Sequence, residues 1–169
     1  PVLAVTHRHP VALCAGWGQA AAVRYVASQP QEEFDRDAFW EAVTDAVRWS
    51  ESHLDAPEDL SRRLAVLADR LDRFPLDLGD ACDGVGVRAD ESWPFACAMF
   101  ARRPHLLENT LLSGINVGGD ADTTGAMMGA LLGALHGWEA FPAEWKEGLE
   151  DAGRLTQEGH RMSRALSSS

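Results

Sequence analysis

The sequence is short of several things that would fix its class at once. It has only three cysteines, Cys14, Cys82 and Cys97, an odd number with no Cys-x-x-Cys pair. That spacing excludes a disulfide framework and a zinc finger, and leaves reduced thiols in a cytoplasmic protein as the expectation. Cys14 and Cys97 sit in apolar helical surroundings and read as small buried hydrophobes. Basic residues are scarce: 15 Lys plus Arg against 26 Asp plus Glu, a net charge of −11. A surface this acidic repels phosphate backbones and anionic lipid, so neither nucleic acid nor membrane is an expected partner. No apolar run is long enough to span a bilayer; the most apolar segment, 123–138, falls short of the roughly 20 residues required. Nowhere does strict apolar/polar alternation persist, so no strand is expected. A signal peptide is not visible either. The sequence opens on Pro-Val-Leu-Ala-Val-Thr-His rather than Met, which reads as the middle of a fold and as a piece of a longer protein.

What is present is helical periodicity in an ordinary globular composition, 46% hydrophobic and 24% charged over 169 residues. That length fits a single domain, 1–169, able to bury a core. Residues 10–28 are Ala-rich, with Ala12, Ala15, Gly16, Gln19, Ala20 and Val23 at helical spacing, and Pro30 stops the run. A second helix is expected over 35–51, with Phe39, Trp40, Val43, Val47 and Trp49 inward. Pro57 opens a third, whose stripe is Leu60, Leu64, Leu67, Leu71 and Phe74. Residues 75–90 read as one long irregular stretch rich in Asp, Gly and Pro. Ser92 is the expected N-cap of a helix with Pro94 in its first turn, ending near Ala101 or Arg102. Further helices are expected over 105–115, 122–136 (with Gly137 just past its end), 142–149 and 150–166, with 167–169 fraying. The fold class is all-α, a compact multi-helix orthogonal bundle.

The feature that carries chemistry is Gly118-Gly119-Asp120-Ala121-Asp122-Thr123-Thr124-Gly125. Two glycines permit a sharp bend and close backbone approach. Asp120 and Asp122, with Thr123 next to them, offer hard oxygen donors of the kind that Mg²⁺ and Mn²⁺ take. The plain alternative is that Asp122 N-caps the following helix and Asp120 decorates a turn. In that helix Gly125, Gly129, Gly133 and Gly137 recur every fourth residue. Each interior glycine costs about 1 kcal/mol relative to alanine, so the expectation is a buried central helix whose backbone packs tightly on its neighbours.

This block, with its glycine helix, resembles the C-terminal signature of the ADP-ribosylglycohydrolases, nearest the bacterial branch that includes the dinitrogenase-reductase-activating glycohydrolase. Weaker stretches agree in order: Thr6-His7-Arg8-His9-Pro10; Gly84-Val85-Gly86-Val87 leading into Glu91-Ser92-Trp93-Pro94; and Phe141-Pro142-Ala143-Glu144-Trp145. The resemblance implies an all-α hydrolase that cleaves ADP-ribose from a protein side chain or a small-molecule conjugate, using two Mg²⁺ or Mn²⁺ ions. By the same resemblance Asp120, Asp122 and Thr123 are metal ligands. His7, Gly84, Gly86 and Val87 line the ADP-ribose pocket, and Gly118 and Gly119 shape it. The family's Gly-Asp motif near its start and the Thr-Asp-Asp-Thr or similar motif soon after it, which supply the remaining ligands and an acid/base candidate, are not found in this sequence. No residue of this chain is therefore a candidate for proton transfer.

Two other readings remain. One is a non-catalytic relative of the same fold lacking the other half of the metal site; the other is a Mg²⁺-dependent phosphohydrolase of a different family. His7 and His9 without a third ligand make a poor metal site, and His136 at a helix end reads as structural. Asp77, Asp80, Asp83 and Asp90 lack calcium-loop spacing and read as a solvated acidic rim.

Overall fold

The computed structural model describes residues 3–167, and among these every regular element is helical. In chain order they are α1 (Pro10–Ala27), α2 (Arg36–His53), α3 (Asp59–Ala68), α4 (Pro75–Ala81), α5 (Ala89–Arg102), α6 (Leu107–Ile115), α7 (Ala121–His136), α8 (Ala143–Glu147) and α9 (Ala152–Ser167), with single 3₁₀ turns at Leu3–Val5, Gln31–Glu33 and Trp138–Ala140. The expected fraying of the last serines falls on 168 and 169, outside the described residues, while Ser167 still closes α9.

Two helix starts show how local chemistry sets the elements. The Asp35 carboxylate accepts from the N–H groups of Asp37 and Ala38 at 2.9 and 3.0 Å, satisfying donors that the first turn of α2 leaves without partners. No such cap exists within α3. Instead Glu51, near the end of α2 and almost fully buried, accepts from the Leu60 and Ser61 N–H groups at 3.0 and 3.1 Å. A carboxylate at a helix N-terminus is also favoured by the helix dipole, so one side chain starts α3 and fastens it to α2.

The centre of the molecule is α5. Its residues from Ser92 to Ala101 are all buried, because the unbroken apolar run there leaves no face to show to water. Helices α1, α3, α4, α6 and α7 all pack on it. Phe39 of α2 and Phe100 of α5 meet edge to face, with ring centroids 5.2 Å apart. Helix α9 is amphipathic and lies outside this core, with its described side chains almost wholly exposed.

Several expectations change. The stretch 75–90 is not all irregular: Pro75 occupies the first turn of α4, where its missing N–H costs nothing, and Leu78 and Ala81 are buried. Phe74, placed in the α3 stripe, is 74% exposed because α3 ends at Ala68 and the chain turns before reaching it. Helix α5 starts at Ala89, so Ser92 is not its cap; the Ser92 hydroxyl donates back to the Arg88 carbonyl at 3.1 Å, and Pro94 lies in the second turn. Trp49 faces outward and stacks between Trp17 and His53. The central helix is α5 rather than α7, which buries only one face, through Thr124, Met128, Leu131, Leu132 and Leu135.

The glycines of α7 are not close-approach points as a group. A Cβ on Gly125 would stand 3.2 Å from Ile115, but one on Gly129 would meet nothing within 4 Å. The tight contacts lie elsewhere: at Gly18 of α1, where a Cβ would fall 2.5 Å from the Trp93 ring, and at Gly114 of α6 against Met128. Opposite responses to the same substitution follow. Gly129→Ala gains helix propensity in open space and should raise stability by about 0.5–1 kcal/mol. Gly18→Ala overpacks the α1–α5 contact and should lower it by about 1–3 kcal/mol. Urea unfolding of the two variants against the unsubstituted chain checks both signs.

Candidate functional site

The Gly-Gly-Asp segment folds as a bend feeding straight into α7. Gly118 and Gly119 have φ of 90° and 72°, the left-handed region that side chains avoid. At Gly119 the requirement is double, because a Cβ there would overlap the Val85 carbonyl oxygen. The absent side chain lets the Asp120 N–H donate to that oxygen at 2.6 Å. Thus the bend before α7 is docked on the loop 84–87, two segments far apart in sequence. The Asp120 carbonyl accepts from both the N–H and the hydroxyl of Thr124, at 3.0 and 2.9 Å. Thr124 is fully buried, and its hydroxyl locks the first turn of α7.

The carboxylates are left uncommitted. Asp120, not Asp122, holds the N-cap position of α7, yet its side chain accepts no cap bond. Asp122 is exposed and accepts the adjacent Thr123 N–H, at 3.0 Å. The plain reading of Asp122 as an N-cap is therefore not met. The neighbouring Asp120 carboxyl, by hydrogen bonding, and then the Thr123 N–H hold the Asp122 carboxyl below the usual carboxylate range. Among the described residues neither aspartate joins an ion pair.

A cavity of about 630 Å³ opens beside this bend. Thr123 and Met127 of α7 form one wall and Ala12, Gly16 and Gln19 of α1 lie in another, with His7, Val87, Arg88, Asp90 and Trp93 among the other lining residues. The structure thus brings His7, Val87 and Thr123 to one cavity, with Val87 86% exposed at its mouth. His7 is held by its ring Nδ1, 2.8 Å from the Thr6 hydroxyl. Gly84, Gly86, Gly118, Gly119, Asp120 and Asp122 do not line the cavity. Gly84 (φ 112°) turns the chain into the docking loop, and Gly86 gives room to the Glu91 carboxylate.

Three lining groups, Gln19, Arg88 and Asp90, carried no binding role in the sequence reading. Gln19 is half-buried; its amide oxygen accepts from the Trp93 indole N–H at 3.1 Å and its amide nitrogen donates to the Met127 carbonyl at 3.2 Å, tying α1 to α5 and α7. One amide on the otherwise apolar face of an Ala-rich helix was the available signal. Arg88 makes a two-pronged contact with Asp90, at 3.1 and 2.8 Å. Burial of Asp90 works against its charge, but the Arg88 guanidinium and a backbone N–H outweigh it and keep the carboxyl below the usual range. The aspartates read as a rim divide accordingly: Asp83 and Asp90 are ion-paired with Arg63 and Arg88, while Asp77 and Asp80 are exposed. His136 bonds the Pro104 carbonyl at 2.7 Å, a structural role. All three cysteines are buried and unpaired, and burial pushes the Cys82 thiol up to about 12.

Two carboxylates and a hydroxyl, unpaired and adjacent, suit a hard divalent cation in kind. They do not complete a coordination shell: among the described residues no group of three or more His, Cys, Asp or Glu side chains could hold a metal.

The ADP-ribosylglycohydrolase family profile matches residues 2–168. The mouse ADP-ribosylhydrolase ARH3 is 34% identical over 134 residues, 67% of this chain and 36% of that protein. Human ARH3 is 33% identical over 117 residues, covering 60% of this chain and 32% of that protein. The ADP-ribosyl-[dinitrogen reductase] glycohydrolase of Rhodospirillum rubrum is 44% identical over 43 residues, 25% of this chain and 15% of that protein. No solved structure gives a significant match. The chain belongs to the ADP-ribosylglycohydrolase family, and its matches span about a third of the length of the ARH3 proteins.

Docking of the two loops gives a specific expectation. Gly119→Ala combines a left-handed backbone with overlap on the Val85 carbonyl and should cost about 2–4 kcal/mol. Gly118→Ala, strained but with open space around it, should cost less. Chemical denaturation ranks the two, and equal losses would remove the loop contact as the reason for the second glycine.

Proposed function

We propose that this chain supplies part of a divalent-metal-dependent hydrolase site that cleaves the glycosidic bond between ADP-ribose and a protein side chain or small acceptor. The observation that carries the reading is the pair Asp120 and Asp122, free of ion pairs at the head of α7, with Thr123 beside them on the wall of a cavity shared with His7 and Val87. A cavity of about 630 Å³ is in the range that encloses a nucleotide-sized ligand.

Asp120, Asp122 and Thr123 hold Mg²⁺ or Mn²⁺ in this reading. A pair of such ions, when bound, supplies an activated water, orientation of the sugar hydroxyls and compensation of developing charge. The residues of this chain contribute the oxygen donors and the walls. Val87 and His7 bound the mouth, and the Gln19 amide fixes the floor by joining three helices. Glycosidic cleavage runs through an oxocarbenium-like state, and these aspartates act as ligands rather than nucleophiles. The buried, unpaired thiols suit a cytoplasmic setting.

A second reading is favoured by one observation. Since no three metal-capable side chains converge among the described residues, the shell needs donors from outside this set, and a relative that never receives them would bind without turning over. Release of ADP-ribose from ADP-ribosyl-arginine and ADP-ribosyl-serine, with a generic phosphoester as control and with or without Mg²⁺, separates enzyme, binding relative and phosphohydrolase. In the hydrolase reading Asp122→Ala abolishes Mg²⁺-dependent release while the thermal midpoint stays within about 2 °C, because that side chain is exposed. Unchanged release in a folded Asp122→Ala variant contradicts the assignment.

A further inference from the structure

Arg63 stands apart from Arg62, the other arginine of its helix. Its side chain is 17% exposed, whereas that of Arg62 is 70% exposed. One arm of the guanidinium donates to the Ala81 carbonyl at 2.8 Å, and the other to the Asp83 carboxylate at 2.7 Å. Ala81 is the last residue of α4, where the carbonyls lack helical partners and a cation is favoured by the helix dipole. Asp83 has φ of 59°, an uncommon conformation for a residue with a side chain, and costs free energy unless its surroundings hold it. Gly84 follows at φ 112°, its N–H bonded to the Gly79 carbonyl at 3.0 Å. These two successive left-handed residues turn the chain so that the next carbonyl, that of Val85, meets the Asp120 N–H.

We infer that Arg63 is a positioning residue for the aspartate bend: by clamping Ala81 and Asp83 it fixes the turn that presents the Val85 carbonyl to Asp120. It touches neither the cavity that Thr123 lines nor either aspartate. Its link to the site runs through backbone, Arg63 to Asp83 to Val85 to Asp120. The functional half of the inference, that this clamp tunes divalent-ion binding, rests on the reading of Asp120, Asp122 and Thr123 as ligands; the structural half does not. Outer residues that orient ligands typically change metal affinity by about 10–100-fold when removed.

Amide hydrogen exchange and Mn²⁺ titration, both followed by NMR on the chain, test the two halves separately. In Arg63→Met the Asp120 amide should exchange about tenfold faster, while amides of Val43 and Val47 in the α2 core keep their protection. The Mn²⁺ concentration that half-broadens the amides of Gly119 to Thr123 should rise about tenfold. Arg63→Lys, whose single ammonium replaces the two-armed fork, should fall between the two, a graded rescue that a mere loss of stability would not give. Asp83→Asn keeps a residue tolerant of the left-handed turn, removes the charged acceptor, and should shift both readouts the same way by a smaller factor; it carries the test if Arg63→Met does not fold. Unaltered Asp120 exchange in a folded Arg63 variant overturns the inference. Absence of Mn²⁺ broadening at 119–123 in the unsubstituted chain would instead sink the metal reading and leave the exchange result to decide the coupling.

Discussion

One backbone hydrogen bond organises the site: the Asp120 N–H to the Val85 carbonyl, at 2.6 Å. It joins the bend before α7 to the loop after α4, and it exists only because Gly119 has no side chain to place against that carbonyl. From it follow the direction in which α7 leaves the bend, the seating of Thr123 on the cavity wall, and the placing of a half-buried Asp120 and an exposed Asp122 at a helix head without a cation to pair with. Carboxylates at a helix N-terminus are electrostatically comfortable even when unpaired. In the proposed reading, that is what leaves the aspartates open to a divalent ion without an arginine partner.

The scaffold behind the bend is built so that this bond has little freedom. Helix α5 fills the centre and fixes the position of everything that packs on it, α7 included. Gln19 ties α1 to both α5 and α7 through one amide, and Thr124 closes the first turn of α7 from beneath. On the far side of the loop, α3 reaches across with Arg63 to hold the end of α4. Helix α3 is itself anchored by the buried Glu51 of α2. Small residues matter where they allow backbones or rings to meet, as at Gly18 and Gly119, and not where a periodic pattern alone would suggest.

Much of this was legible in the sequence, and the failures have physical causes. The all-α class, the starts near Pro10 and Asp35 and the end at Gly137 followed from periodicity, proline and capping chemistry, all of which are local. The aspartate block stood out because its residue types match one kind of chemistry. The glycine spacing in α7 misled, since nothing local distinguishes a glycine facing a neighbour from one such as Gly129 facing open space. Helix α4 was hidden by its Asp, Gly and Pro content; its existence depends on Leu78 and Ala81 finding a core that other helices provide. Arg63 carries no motif at all. Its role arises from partners 18 and 20 residues away, a relation that only the folded chain displays.

The central claim is that the docked bend offers Asp120, Asp122 and Thr123 to a divalent ion at the edge of the cavity. Anomalous diffraction from crystals soaked with Mn²⁺ and ADP-ribose tests it most directly. The account predicts a peak about 2.0–2.3 Å from oxygens of those three residues, with the Val85–Asp120 bond retained. A peak coordinated elsewhere with the two aspartates turned away from it, or ADP-ribose bound while the bend stays free of metal at saturating Mn²⁺, would contradict it.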